Sequence, residues 1–176
     1  MIASAFTLGE EINLRKLEYR IFNNLWRRHT LPTIDISFNR WVKIKYLNDM
    51  CDNFNPEVET IPDDKGGLYL FYVKCPIIPG ITDFPFYIGR AQLTEGQNLR
   101  KRVKEYFSKF RRDDERPKIT RMFKYWSDDL HLAYFVLDEN ADVIDFEKMI
   151  INSLLLPMND QIPDQEIRQA IKAFQP

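Results

Sequence analysis

From Gly67 the chain reads Leu68-Tyr69-Leu70-Phe71-Tyr72-Val73, a compact aliphatic and aromatic run of strand length. A Pro/Gly-rich loop follows, then Phe86-Tyr87-Ile88-Gly89, so the two runs predict a β-hairpin with a long connection. Beyond it, Leu99, Val103, Tyr106, Phe107 and Phe110 recur at helical spacing and predict a basic amphipathic helix over about 98–111. A second short helix is expected over 117–127, a strand over Leu130 to Leu137, and a helix over 142–156 that stops at Pro157. Ile167, Ala170, Ile171 and Phe174 mark a last amphipathic helix with Asp164 as its N-cap.

Upstream the signals are weaker. Thr7-Leu8-Gly9-Glu10 has capping-box spacing, and Leu14, Leu17, Ile21 and Leu25 recur at helical intervals, which predicts a helix over about 8–28 that Pro32 terminates. Ile34, Ile36 and Phe38, then Val42, Ile44 and Tyr46, alternate with period two and suggest one or two short strands; a helix over about 41–50 is the alternative. Residues 52–66 form a polar, Pro-containing connector. The expected organisation is a mostly helical N-terminal extension over 1–65, an α/β domain over 66–160 and a C-terminal helix over 161–176 packed on it.

The chain has 176 residues, 44% hydrophobic and 14% aromatic, enough for one domain with a core. A formal charge of -1 excludes a polybasic nucleic-acid binder of the histone type. The distribution is uneven: residues 98–124 carry eleven Lys/Arg against four Asp/Glu, whereas residues 125–176 carry three against ten. That polarity suits a phosphate-binding surface beside a cation-binding carboxylate region, and equally a pair of mutually neutralising helices. Cys51 and Cys75 are too few for a thiolate zinc site or a disulfide framework, and His29 and His131 do not complete one. No apolar run approaches the roughly 18 residues of a membrane span, so a cytoplasmic location is expected.

One residue stands where it should not. At about 100° per residue, Glu147 falls in the centre of the apolar stripe made by Val143, Ile144, Ile150, Ile151 and Leu154. A carboxylate in apolar surroundings needs a partner or a cation, either an arginine of the preceding basic helix or a metal ion. Arg102 lies at the flank of that helix's apolar stripe and is best placed to reach inward.

Gly67-Leu68-Tyr69 and Tyr87-Ile88-Gly89 on paired strands, Arg102 on the next helix, Glu147 on a later one and Asn159 beyond it together resemble the GIY-YIG nuclease superfamily. The resemblance covers residues 66–160. It implies a small α/β domain with a central three-stranded antiparallel sheet, and its loop lengths are nearest the restriction-enzyme branch. Leu68 replaces the family's isoleucine, the long loop 74–85 separates the two tyrosines, and Arg90 stands where many members have lysine.

By this resemblance Glu147 binds one Mg²⁺ or Mn²⁺ through its carboxylate, and Arg102 presents its donor fork to the phosphoryl oxygens. Tyr69 orients or deprotonates the attacking water with electrostatic help from Arg90, a role that requires a lowered pKa. Tyr87 and Tyr106 position water or phosphate, and Asn159 hydrogen-bonds across the end of the glutamate helix. Lys104, Lys109, Arg111, Arg112, Lys118, Arg121 and Lys124 are the expected contacts to the nucleic-acid backbone. The expected activity is metal-dependent hydrolysis of DNA, with RNA open as a substrate, in a restriction-like or mobile-element and phage-defence setting. A double-strand cut by one site per chain would call for a homodimer. The alternative is a nucleic-acid-binding module of the same fold without cleavage.

Overall fold

The computed structural model describes residues 4–29 and 33–173. Pro32, the expected end of the first helix, and Phe174, expected in the last, lie outside them. The elements are α1 (Ala5–Arg15), α2 (Asn23–Trp26), β1 (Val42–Lys45), β2 (Gly66–Lys74), β3 (Asp83–Ala91), α3 (Leu99–Phe110), α4 (Pro117–Trp126), β4 (Leu130–Leu137), α5 (Asn140–Leu154) and α6 (Gln165–Ala173), with three short 3₁₀ turns between them.

The fold is α+β, and its sheet has four antiparallel strands in the order β1-β4-β2-β3, where the resemblance implied three. The additional strand, β1, comes from the stretch assigned to the N-terminal extension and pairs with β4 from Val42 opposite Tyr134 to Lys45 opposite His131. The neighbouring connector is not merely polar. It winds into a 3₁₀ turn over Pro56–Thr60, whose Val58, with Ile61 just beyond, is fully buried. Apolar burial thus ties residues 42–61 to the sheet.

β2 is central and covered on both faces, which explains its near-continuous apolar sequence. Tyr69, Phe71 and Val73 point into a core completed by Leu99, Val103, Tyr106 and Phe107 of α3 and Ile119, Met122 and Phe123 of α4. Leu68 and Tyr72 point the other way, joining Trp41, Ile88, Ala133 and Leu137 beneath Val143, Phe146 and Ile151 of α5. Between Phe71 and Tyr72 the β2–β3 register slips: Phe71 faces Tyr87 and Tyr72 faces Pro85, leaving Phe86 as the extra residue of a bulge. That insertion is why the consecutive residues Phe86 and Tyr87 both enter the first core.

The first helix is shorter than its periodicity predicts. α1 ends at Arg15, and Ser4, not Thr7, is its N-cap, accepting from the Thr7 amide. Lys16 is extended, and from it to Phe22 the chain has no regular secondary structure and crosses the domain as a strap. Leu17 packs on the first core, the Tyr19 hydroxyl donates to the Pro85 carbonyl at 2.9 Å, and Arg121 donates to the Leu14 and Lys16 carbonyls at 3.1 and 2.5 Å. Extended chain covers more than twice the distance per residue of a helix, so tertiary anchors at Leu17 and Tyr19 override the local periodicity. The strand expected at Ile34 and Ile36 does not form, nor does the alternative helix over 41–50. α5 ends at Leu154, with Leu155 in the left-handed conformation as its cap, two residues before Pro157. Asp164 does cap α6, accepting from the Ile167 amide at 2.9 Å. None of the described helices is long and apolar enough to cross a membrane.

Candidate active site

Two close approaches build the centre. Gly67, with φ +157°, lies so near β4 that an added Cβ would stand 2.2 Å from the Phe135 carbonyl oxygen. Gly89 lies opposite Tyr69, and a Cβ there would stand 2.4 Å from the Tyr69 hydroxyl and 2.5 Å from its Cζ. The Tyr69 ring therefore lies across Gly89 toward the edge strand, where any other residue would displace it. α3, capped by the Asn98 side chain at the Lys101 amide, turns Tyr106 down onto the same spot.

The result is a chain of three hydroxyls: Tyr69 to Tyr106 at 2.7 Å, and Tyr106 to Tyr87 at 3.0 Å. Tyr69, Tyr106 and Tyr87 are 1%, 2% and 7% exposed, so the chain runs from the interior outward. Burial pushes the Tyr69 hydroxyl well above the ordinary tyrosine pKa, Tyr87 adding to it and Arg102 opposing; burial does the same to Tyr106. The expected depression of Tyr69 is therefore reversed. A proton leaving this hydroxyl would strand an anion in the core, so Tyr69 stays protonated, which is the opposite of what a base toward water requires.

Arg102 covers this chain, its guanidinium 5.2 Å from the Tyr106 ring centre and held by Glu105 at 2.7 Å. Its charge acts on Tyr69, on Tyr106 and on Glu147. Glu147 arrives from α5, on the opposite face of the sheet, and its side chain is 15% exposed. Its partner is Arg90 at 2.6 Å, not an arginine of the basic helix. Arg90 faces Leu68 across the strand pair and so points toward α5. Burial raises the Glu147 pKa, opposed first by Arg90 and then by Arg102. The second carboxylate oxygen, Oε1, makes no hydrogen bond among the described residues. The tyrosines and Glu147 thus approach one edge of the sheet from opposite faces, bridged by the field of Arg102.

Asn159 secures that edge. Its side-chain amide accepts from the Ile88 amide at 3.1 Å and donates to the Ile88 carbonyl at 2.8 Å, while the Met158 amide bonds the Phe86 carbonyl at 3.0 Å. The segment after α5 therefore closes the otherwise open edge of β3. Asn159 is a clamp on the second tyrosine strand, a stronger tie than the contact across the helix end expected for it.

The expected backbone-contacting cations divide. Lys109, Arg111, Arg112 and Lys124 remain at or near the surface. Lys104 is paired with Glu59, Lys118 stands 3.5 Å from Asp160, and Arg121 is occupied with the strap. Arg116, the N-cap of α4, is a further cation at this site that the sequence alone does not single out. Its Nη2 lies 3.5 Å from the Tyr87 hydroxyl and its Nη1 3.1 Å from Asp160, so it completes the outer end of the hydroxyl chain. Pro117 was the available signal: proline at the first helical position puts the preceding residue at the helix mouth.

No group of three or more His, Cys, Asp or Glu among the described residues could hold a metal ion. A site here would rest on Glu147 alone, whose free Oε1 offers the hard oxygen donor that Mg²⁺ takes when water and substrate phosphate fill the remaining positions. The chain matches no protein-family model, no curated protein and no solved structure.

Proposed function

We propose that the chain is a metal-dependent endonuclease that hydrolyses DNA phosphodiester bonds. The observation that carries this reading is the convergence at one sheet edge of three hydrogen-bonded tyrosines, Arg90, Arg102, Arg116 and a half-buried glutamate. Hydrolysis needs donors that hold a phosphoryl group, positive charge that matches the transition state, and help for the departing 3′-oxygen. Arg102 and Arg116 flank the hydroxyl chain with planar donor forks suited to phosphoryl oxygens. Tyr87, outermost of the three, would donate to phosphate or to the attacking water, and Tyr106 and Tyr69 hold its hydroxyl in line. Glu147 Oε1 would hold Mg²⁺ or Mn²⁺, which when bound supplies Lewis acidity toward the leaving oxygen. Arg90 orients the carboxylate through Oε2.

A binding module of the same fold without cleavage is the second reading, and the Arg90–Glu147 pair favours it, because arginine already satisfies the carboxylate. The two readings part on supercoiled plasmid incubated with Mg²⁺ or Mn²⁺, beside Glu147→Gln and an EDTA control. Nicking or linearisation by the wild type alone supports the nuclease. Uncut plasmid retained by the protein at low salt and released as salt rises favours the binding module. Uncut plasmid that is not retained overturns both.

A further inference from the structure

Away from this edge, the β2–β3 connection holds apolar side chains in water. Ile77 and Ile81 are 78% and 79% exposed, with Ile78 half-exposed between them. The base of the same loop borders a groove of about 360 Å³ on the α5 face of the sheet, lined by Phe38, Trp41, Leu70, Ile88, Ile150 and Leu154. At its floor lies Tyr72, 1% exposed, whose hydroxyl has no hydrogen-bond partner among the described residues. That hydroxyl is shielded from the groove mouth, so what the recess presents to a partner is apolar surface. Protruding apolar side chains therefore adjoin an apolar recess.

We infer that this face is a two-fold interface in which the isoleucine loop of each copy fills the groove of the other. A patch with knob and recess side by side is self-complementary under a two-fold axis, because each copy offers what the other lacks. Ile77 or Ile81 supplies the aliphatic filling. The surroundings carry both signs, Lys43 and Lys74 beside Asp83, Asp128 and Asp129, so two copies meet with opposite charges available at the rim. The inference does not rest on the nuclease reading.

The test uses the full chain at about 50 µM in sedimentation or light scattering, a range that detects a micromolar interface. The wild type should be a dimer, and the loop variant Ile77→Asp/Ile81→Asp and the groove variant Leu154→Lys should each be monomers with unchanged circular dichroism. Mixing the two variants should restore part of the dimer, because one intact loop then meets one intact groove. A monomeric wild type, dimeric variants, or no recovery on mixing would overturn it.

Discussion

Gly89→Ala tests whether the hydroxyl chain depends on a missing side chain. The new Cβ would lie 2.4 Å from the Tyr69 hydroxyl and 2.7 Å from Cε2, so the ring must retreat by about 1 Å to reach ordinary contact. It has nowhere to go: Tyr69 is fully buried, with the rings of Phe71, Tyr87 and Tyr106 around it. Overpacking a dense core costs about 1–3 kcal/mol. A shift of that size also pulls the hydroxyl away from Tyr106, and a buried hydroxyl without its partner costs about 1–3 kcal/mol more. The expected loss is roughly 2–6 kcal/mol, a large part of the ~5–15 kcal/mol typical of a domain. Urea unfolding followed by tryptophan fluorescence measures it. Gly9→Ala is the control: its Cβ meets nothing within 4 Å and it lies inside α1, so it should gain about 0.5–1 kcal/mol. A Gly89→Ala protein within about 0.5 kcal/mol of wild type would refute the packing argument.

Glu147→Gln should remain folded and abolish metal-dependent cutting, read on the plasmid gel; loss of folded protein would instead make the Arg90 pair structural. The same variant reports on pH. Burial raises the Glu147 pKa, so the native state binds the proton more tightly, and stability falls as pH rises from the ordinary glutamate pKa through the raised one. Glutamine cannot ionise, so the variant should gain on the wild type across that window in urea midpoints; a difference flat with pH would contradict the assignment. Arg116→Ala should slow cutting at least tenfold and also lower the unfolding midpoint, since it empties the outer end of the hydroxyl chain and removes the partner of Asp160 and of the Glu115 carboxylate, whose side chain is only 5% exposed. Arg121→Ala should free the strap, making the chain near Lys16 to Arg20 cleavable by trypsin at enzyme levels that spare the wild type.

Short-range information was enough to recognise the hairpin, the two helices after it, β4, α5 and the Asp164 cap. Each of these carries its own period and punctuation, and each covers or occupies a sheet face that the period already describes. The same local pattern made Glu147 conspicuous and put Arg102 on the correct flank of its helix. What failed depended on distant partners. The Leu14-to-Leu25 periodicity is genuine, yet Arg121 and the β3 edge draw Lys16 to Phe22 out as a strap between α1 and α2. Val42 to Lys45 was legible as a strand from its alternation, but only the open edge of β4 decided that it joins the domain's sheet as a fourth strand. The choice of Arg90 as the partner of Glu147 follows from its opposition to Leu68, a pairing register no local pattern encodes. Burial decided the chemistry of Tyr69: its sequence position gives the motif, but only packing across Gly89 and beneath α3 determines that its hydroxyl keeps its proton.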